Sequence, residues 1–198
     1  MPPAPDIDFD HAVRHVAALN RPALVAIDGL PVSGKSTLAE RLEREYGATT
    51  IYLDDFVRPP AAWRGRLTPG FPFGYIRYEA FLAAVESISR GETASYQLFD
   101  WASGALGPEK TVRPDGLVLI EGVSALHPSL APLYDLRFWI DSDPSTTLSA
   151  ALQRGVGDWE TEWRELFMPS VAIYLESDPQ SRADYLVAGR GVRTEADG

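Results

Sequence analysis

The residues best suited to chemistry begin with a glycine-spaced turn that ends in a lysine and a hydroxyl. Gly29-Leu30-Pro31-Val32-Ser33-Gly34-Lys35-Ser36-Thr37 fits G-x-x-x-x-G-K-[ST], the phosphate-cradling P-loop. Gly29 and Gly34 permit tight turns and let the backbone approach a phosphate closely. Lys35 is expected to reach the β- and γ-phosphates of a nucleotide, and the Ser36 hydroxyl to bind Mg²⁺. A chance match in a chain of this length is on the order of one in a hundred.

Carboxylates and aromatic rings further along the chain would complete such a site. Asp54 and Asp55 follow a β-branched, apolar run. A carboxylate there can orient or deprotonate an attacking hydroxyl, although both acids could instead cap the next turn. Leu117-Val118-Leu119-Ile120-Glu121-Gly122 is an apolar run ending in an acid, the Walker B arrangement that places a carboxylate near Mg²⁺. In Phe99-Asp100-Trp101 two rings flank a carboxylate. They could stack a planar group and hold a hydroxyl, or the rings could be core and Asp100 a turn cap. Arg77, Asp55 and these three residues are candidate substrate contacts beside Asp54. Arg154 and Arg164 are candidates for reaching the transferring phosphoryl group. His11 and His15 lie four apart on a helical pattern; with no third ligand evident they read as surface residues.

These residues need a strand, a turn and a helix in that order. Residues 24–28 read as a buried parallel strand and residues 38–43 as a breaker-free helix. Free N–H groups at that helix N-terminus, with the helix dipole, make an anion site. Helical spacing also covers residues 9–19, 75–90 and 168–175. A further helix begins at Asp143-Pro144 and runs to about residue 154. Strands are expected at 49–53, 117–120, 136–141 and 183–189, with a short hairpin strand at 93–99. In open α/β sheets ligands sit beyond the carboxyl ends of the strands, so Asp54, Glu121 and the P-loop should share one edge. Residues 58–74, rich in Pro, Gly and aromatics, read as a functional loop able to cover a substrate; the alternative is that its rings only pin the loop to the core.

The chain has 198 residues, of which 45% are hydrophobic and 23% charged, enough for one domain with a real core. The net charge of −10 argues against a nucleic-acid surface. No run approaches a membrane span, and the proline-rich start does not resemble a signal peptide. Cysteine is absent, which rules out disulfides and suits a reducing cytosol.

Four stretches together resemble the small P-loop kinases of the uridine kinase and phosphoribulokinase group: the P-loop, Leu53-Asp54-Asp55-Phe56, Phe99-Asp100-Trp101 and Leu119-Ile120-Glu121-Gly122. The resemblance implies a three-layer α/β P-loop NTPase fold, with a five-stranded, mainly parallel sheet and helices on both faces. It implies one kinase domain over residues 1–198, with a small lid at about 154–168 and flexible tails at 1–7 and 191–198. The activity implied is transfer of the ATP γ-phosphoryl group, with Mg²⁺, to a hydroxyl. Asp54 matches the family's base, Phe99 and Trp101 the rings flanking a nucleoside base, and Glu121 the acid near the metal; Arg154 falls among the lid arginines. Gly104 and Leu106 stand where uridine kinases carry a His and an Arg, and residues 155–164 hold fewer arginines. The expected acceptor is therefore nucleoside-like or another small hydroxylated molecule. The remaining expectations are a cytoplasmic setting, no nucleic-acid or membrane partner, and a homodimer as the candidate assembly. A GTP-dependent switch would need an N-K-x-D loop, and the only Asn, Asn20, precedes the P-loop. A nucleotide-binding module without catalysis is the other alternative.

Overall fold

The computed structural model describes residues 4–143, 149–153 and 157–189. Its centre is a parallel sheet. β1 (Asp6–Ile7), α1 (Phe9–Ala17), β2 (Ala23–Gly29), α2 (Lys35–Tyr46), β3 (Thr49–Tyr52) and α3 (Tyr78–Ser89) come first. A hairpin of β4 (Ala94–Asp100) and β5 (Ala105–Val112) follows, then β6 (Leu117–Glu121), β7 (Leu136–Asp141), α4 (Met168–Leu175) and β8 (Tyr185–Ala188). The strand order is β1-β8-β7-β2-β6-β3, every neighbouring pair parallel, with the antiparallel β4–β5 ribbon apart from it.

Strand side chains alternate between two cores, because successive residues point to opposite faces. From β2, Val25 and Ile27 pack with Leu38 and Leu42 of α2 and Val13 and Val16 of α1. Leu24 and Ala26 face the other way, toward Phe81 and Val85 of α3 and Val171 and Tyr174 of α4. Burial on both faces explains the uninterrupted apolar runs of β2 and β6. The result is the expected three-layer α/β arrangement.

The sheet has six strands rather than five. The additional one is β1, within the stretch expected to be a flexible tail: Asp6 and Ile7 pair with Leu186 and Val187, and Asp8 caps α1 by accepting from the His11 N–H at 2.7 Å. Two residues are too few to show a strand pattern in sequence. The partner of β4 also carries no alternating signal; β5 is mostly exposed and contains Gly107 and Pro108. His11 bonds Asp8, and His15 stacks on Tyr185. Among the described residues, no helix is long and apolar enough to cross a membrane.

Asp28, the penultimate residue of β2, is fully buried. Its carboxylate accepts from the N–H groups of Gly29 (2.6 Å), Ser124 (3.0 Å) and Leu126 (2.8 Å), and from the Tyr174 hydroxyl (2.6 Å). Burial raises its pKa, and the four donors oppose that rise. Removing a donor from a buried acidic acceptor costs about 1–3 kcal/mol. Tyr174→Phe should therefore lower stability by about that amount in urea unfolding; a variant as stable as the parent would show that the hydroxyl is dispensable.

Candidate functional site

The loop between β2 and α2 is shaped by close contacts. A Cβ on Gly29 would lie 2.5 Å from the Ile140 carbonyl oxygen, so only glycine fits. Val32 has φ 61° and Gly34 φ 114°, which curl the loop around the start of α2. Gly34 is the N-cap and no side chain caps this helix. Its first N–H groups are thus left without intrahelical partners. Lys35 is only 6% exposed, and its ammonium donates to the Leu30 carbonyl at 2.7 Å. The Ser33 hydroxyl is buried without a protein partner. A buried cation, open N–H groups and an unpaired hydroxyl fit a bound polyphosphate. Pro31, Val32, Lys35 and Ser36 line a cleft of about 510 Å³, whereas Leu30 belongs to the core. Thr37 is exposed one residue further along α2.

Strand register brings the acids to the same cleft. Glu121, the last residue of β6, lies level with Ile27 of β2 and Tyr52 of β3. A Cβ on the following Gly122 would fall 2.4 Å from that of Leu53, so glycine lets the two strand ends meet. Asp54 sits one residue on, in the 3₁₀ turn Leu53–Phe56, and lines the cleft with Glu121. Glu121 is 5% exposed, and burial pushes its carboxyl up to about 7 against the opposing influence of Lys35. Among the described residues no group of three or more His, Cys, Asp or Glu could hold a metal alone. One hydroxyl and one carboxylate, Ser36 and Glu121, match the way Mg²⁺ is held through few protein ligands plus phosphates and waters.

Other candidates lie outside the cleft lining. The Asp55 carboxylate takes the Lys110 ammonium and the Tyr96 hydroxyl, both at 3.3 Å. The Arg77 guanidinium donates to the carbonyls of Asp55 (2.9 Å) and Gln97 (2.6 Å). Together they brace the turn that carries Asp54 against the β4–β5 hairpin. Phe99 is buried and meets Trp101 edge-on at 4.9 Å. Asp100 caps the hairpin turn, accepting from the Ala102 N–H (3.0 Å) and the Ser103 hydroxyl (2.6 Å), which holds its carboxyl below the usual range. Of these three residues, Trp101 lines the cleft, 60% exposed. Gly104 and Leu106 lie in the same hairpin, away from the lining. Arg154 lies outside the described residues. Arg164 bonds Glu160 at 2.9 Å, one helical turn away.

Part of the aromatic wall comes from the loop expected to cover a substrate, which supplies Trp63 and Phe73, with Tyr75 just after it; sequence reasoning missed Trp159, Trp163 and Phe167 of the 157–167 segment. Trp63 and Trp159 stack at 5.7 Å. The spacing of four among Trp159, Trp163 and Phe167 places them on one helical face, a signal that could have found them. Arg64 also joins the two segments, pairing with Glu162 and lying 5.1 Å from the Trp159 ring centre. An exposed ion pair contributes about 0–1 kcal/mol. Aromatic rings bury roughly 150–250 Å² each, so the rings dominate this contact.

The raised Glu121 carboxyl has a consequence for pH. Between its ordinary 4.5 and about 7, the native chain holds a proton that the unfolded chain has released. Stability therefore falls as pH rises through that window, by at most about 3 kcal/mol for this group. Thermal melts of the unliganded protein should show a shallower decline from pH 4.5 to 7 in Glu121→Gln than in the parent. Parallel curves would contradict the assignment.

No protein-family model matches the chain. It is 23% identical over 175 residues to a phosphoribulokinase of Synechocystis, covering 82% of this chain and 52% of the relative. It is 24% identical over 165 residues to the uridine-cytidine kinase 2-B of Danio rerio, covering 75% and 61%. The chain thus spans less than two thirds of either relative's length. The structure of a possible uridine kinase from Bacillus stearothermophilus superposes with a TM-score of 0.67 at 20% identity, covering 90% of this chain and 96% of that one. The fold is that of the P-loop kinases, and the chain is a divergent relative of the uridine kinases and phosphoribulokinases.

Proposed function

We propose that this divergent relative of the uridine kinases is an ATP-dependent small-molecule kinase, moving the γ-phosphoryl group to a hydroxyl of a nucleoside-like acceptor. The observation that carries this reading is the convergence of Lys35, Ser36, Glu121 and Asp54 on one cleft. When bound, Mg·ATP supplies the activated phosphoryl group and the divalent charge that screens its oxygens. Ser36 and Glu121 are the residues to hold the metal, and residues 29–37 the phosphates. Lys35, already stripped of water, neutralises negative charge that grows along the phosphate chain. Asp54 accepts the proton from the acceptor hydroxyl as its oxygen attacks. Bracing by Asp55, Arg77 and Lys110 keeps that carboxylate in place, and much of the rate gain would come from such positioning. The 157–167 segment would cover the acceptor end, and Arg154 is the residue proposed to meet the transferring phosphoryl group.

In a coupled assay of ADP release with an active acceptor, Lys35→Ala should lower kcat by about 10²–10³ or more. Asp54→Asn should lower kcat by about 10²–10⁴ with ATP affinity little changed. Undiminished kcat in the Asp54 variant would remove it from the base role, and loss of ATP binding in the same variant would assign it to the nucleotide instead.

A further inference from the structure

The parallel sheet gives a nucleotide at the P-loop a direction. Asp54 follows β3 and Glu121 ends β6, both on one side of β2 in the strand order. The γ end of a nucleotide held by the loop therefore points toward β3. The loop backbone cradles the α- and β-phosphates, so the nucleoside end leads the opposite way, over β7, β8 and β1. Those strands are parallel as well, and their carboxyl ends lie on the edge where ligands sit.

Just past those strand ends the chain reaches the P-loop from both β8 and β1. A Cβ on Gly189, after β8, would lie 2.7 Å from the Ser33 carbonyl oxygen, so the backbone there runs against the loop. Phe9, after β1, approaches the loop with its ring: Cζ lies 3.3 Å from where a Cβ on Gly34 would stand. Among the described residues 8–9, 141–143 and 188–189, Phe9 carries the only aromatic ring. That ring is half-buried, resting on the core between α1, α2 and the sheet.

The neighbours of Phe9 fix its position. Ile7 pairs with Val187 in the sheet, and Asp8 caps α1 through the His11 N–H at 2.7 Å. Asp10 pairs with Arg41 of α2 at 2.6 Å. Gly34, Thr37 and Arg41 follow at helical spacing and so share one face of α2. Phe9 meets this face at Gly34 and Asp10 meets it at Arg41, with the exposed Thr37 between the two contacts. Thr37 is the last residue of the P-loop, on the side by which a nucleoside leaves it.

Resting on the kinase reading above, we infer that Phe9 is a binding residue for the nucleoside of the phosphoryl donor, and that the β1–α1 segment forms that wall of the donor site. A ring already held in place offers its face to a nucleobase at little cost in ordering. It strengthens the hold on the nucleoside and leaves the hold on the phosphate chain alone. Having no hydrogen-bonding group, it does not itself tell adenine from guanine.

The test is calorimetric titration of the full chain with Mg·ATP and, separately, with magnesium tripolyphosphate, which has the phosphates and no nucleoside. No acceptor is needed. Phe9→Ala should raise Kd for ATP about tenfold, Phe9→Leu nearly as much, and Phe9→Tyr by no more than about twofold. Tripolyphosphate should bind all the variants within about twofold of the parent. Leucine refills the space without supplying a flat face, so a ring that serves only to pack the core predicts recovery in Phe9→Leu. If Phe9→Ala does not fold, the Leu and Tyr variants decide. ATP affinity unchanged in Phe9→Leu, or equal losses for ATP and tripolyphosphate, would overturn the inference and leave the kinase reading standing. A parent chain that binds neither ligand would overturn both.

Discussion

The Asp28 carboxylate is the contact on which the cleft depends. Its four donors come from the first P-loop residue, from the turn after β6, and from α4. An acid in a fully apolar setting is costly to bury, and the cost is offset only while all the donors remain in place. The P-loop, the strand end carrying Glu121 and the helix that follows the aromatic segment are thereby held in one geometry. Phe71 and Phe73 pack on the Tyr174 ring, so the long loop joins the same cluster.

From this anchor the parallel sheet does the positioning. β2, β3 and β6 end on the same edge, and two close approaches, Gly29 on Ile140 and Gly122 on Leu53, remove the space that side chains would need. Asp54 is then supported from behind by a polar bracket. Asp55 and Arg77 take their partners from the hairpin and from backbone carbonyls rather than from the cleft. In this arrangement adjacent acids have separate surroundings: Asp54 borders the cleft and Asp55 is tied into the scaffold.

Much of this was legible from residue order. The P-loop, the runs that become β2, β6 and β7, and the placement of Asp54 and Glu121 at strand ends follow from local pattern, because buried parallel strands read as continuous apolar runs. Three features were not legible. β1 is two residues long and depends on β8 for its partner. β5 is an exposed ribbon strand without alternation. The part taken by Asp28 depends on Tyr174, 146 residues away, and nothing local announces that pairing. The Phe99-Asp100-Trp101 step shows the limit of motif reading. A tight hairpin turn needs a cap, and Asp100 satisfies that need within its own turn, leaving Trp101 to face the cleft.

Val32 holds a β-branched side chain in the left-handed backbone region, a conformation that costs about 1–3 kcal/mol. The cost falls on the folding equilibrium, where a whole domain's packing is set against it. An anion arriving at the loop finds the curvature already made and need not freeze a flexible segment. Sequence variation at this position would accordingly trade global robustness against the entropy lost when a guest is captured, two quantities that ordinary loops leave unlinked.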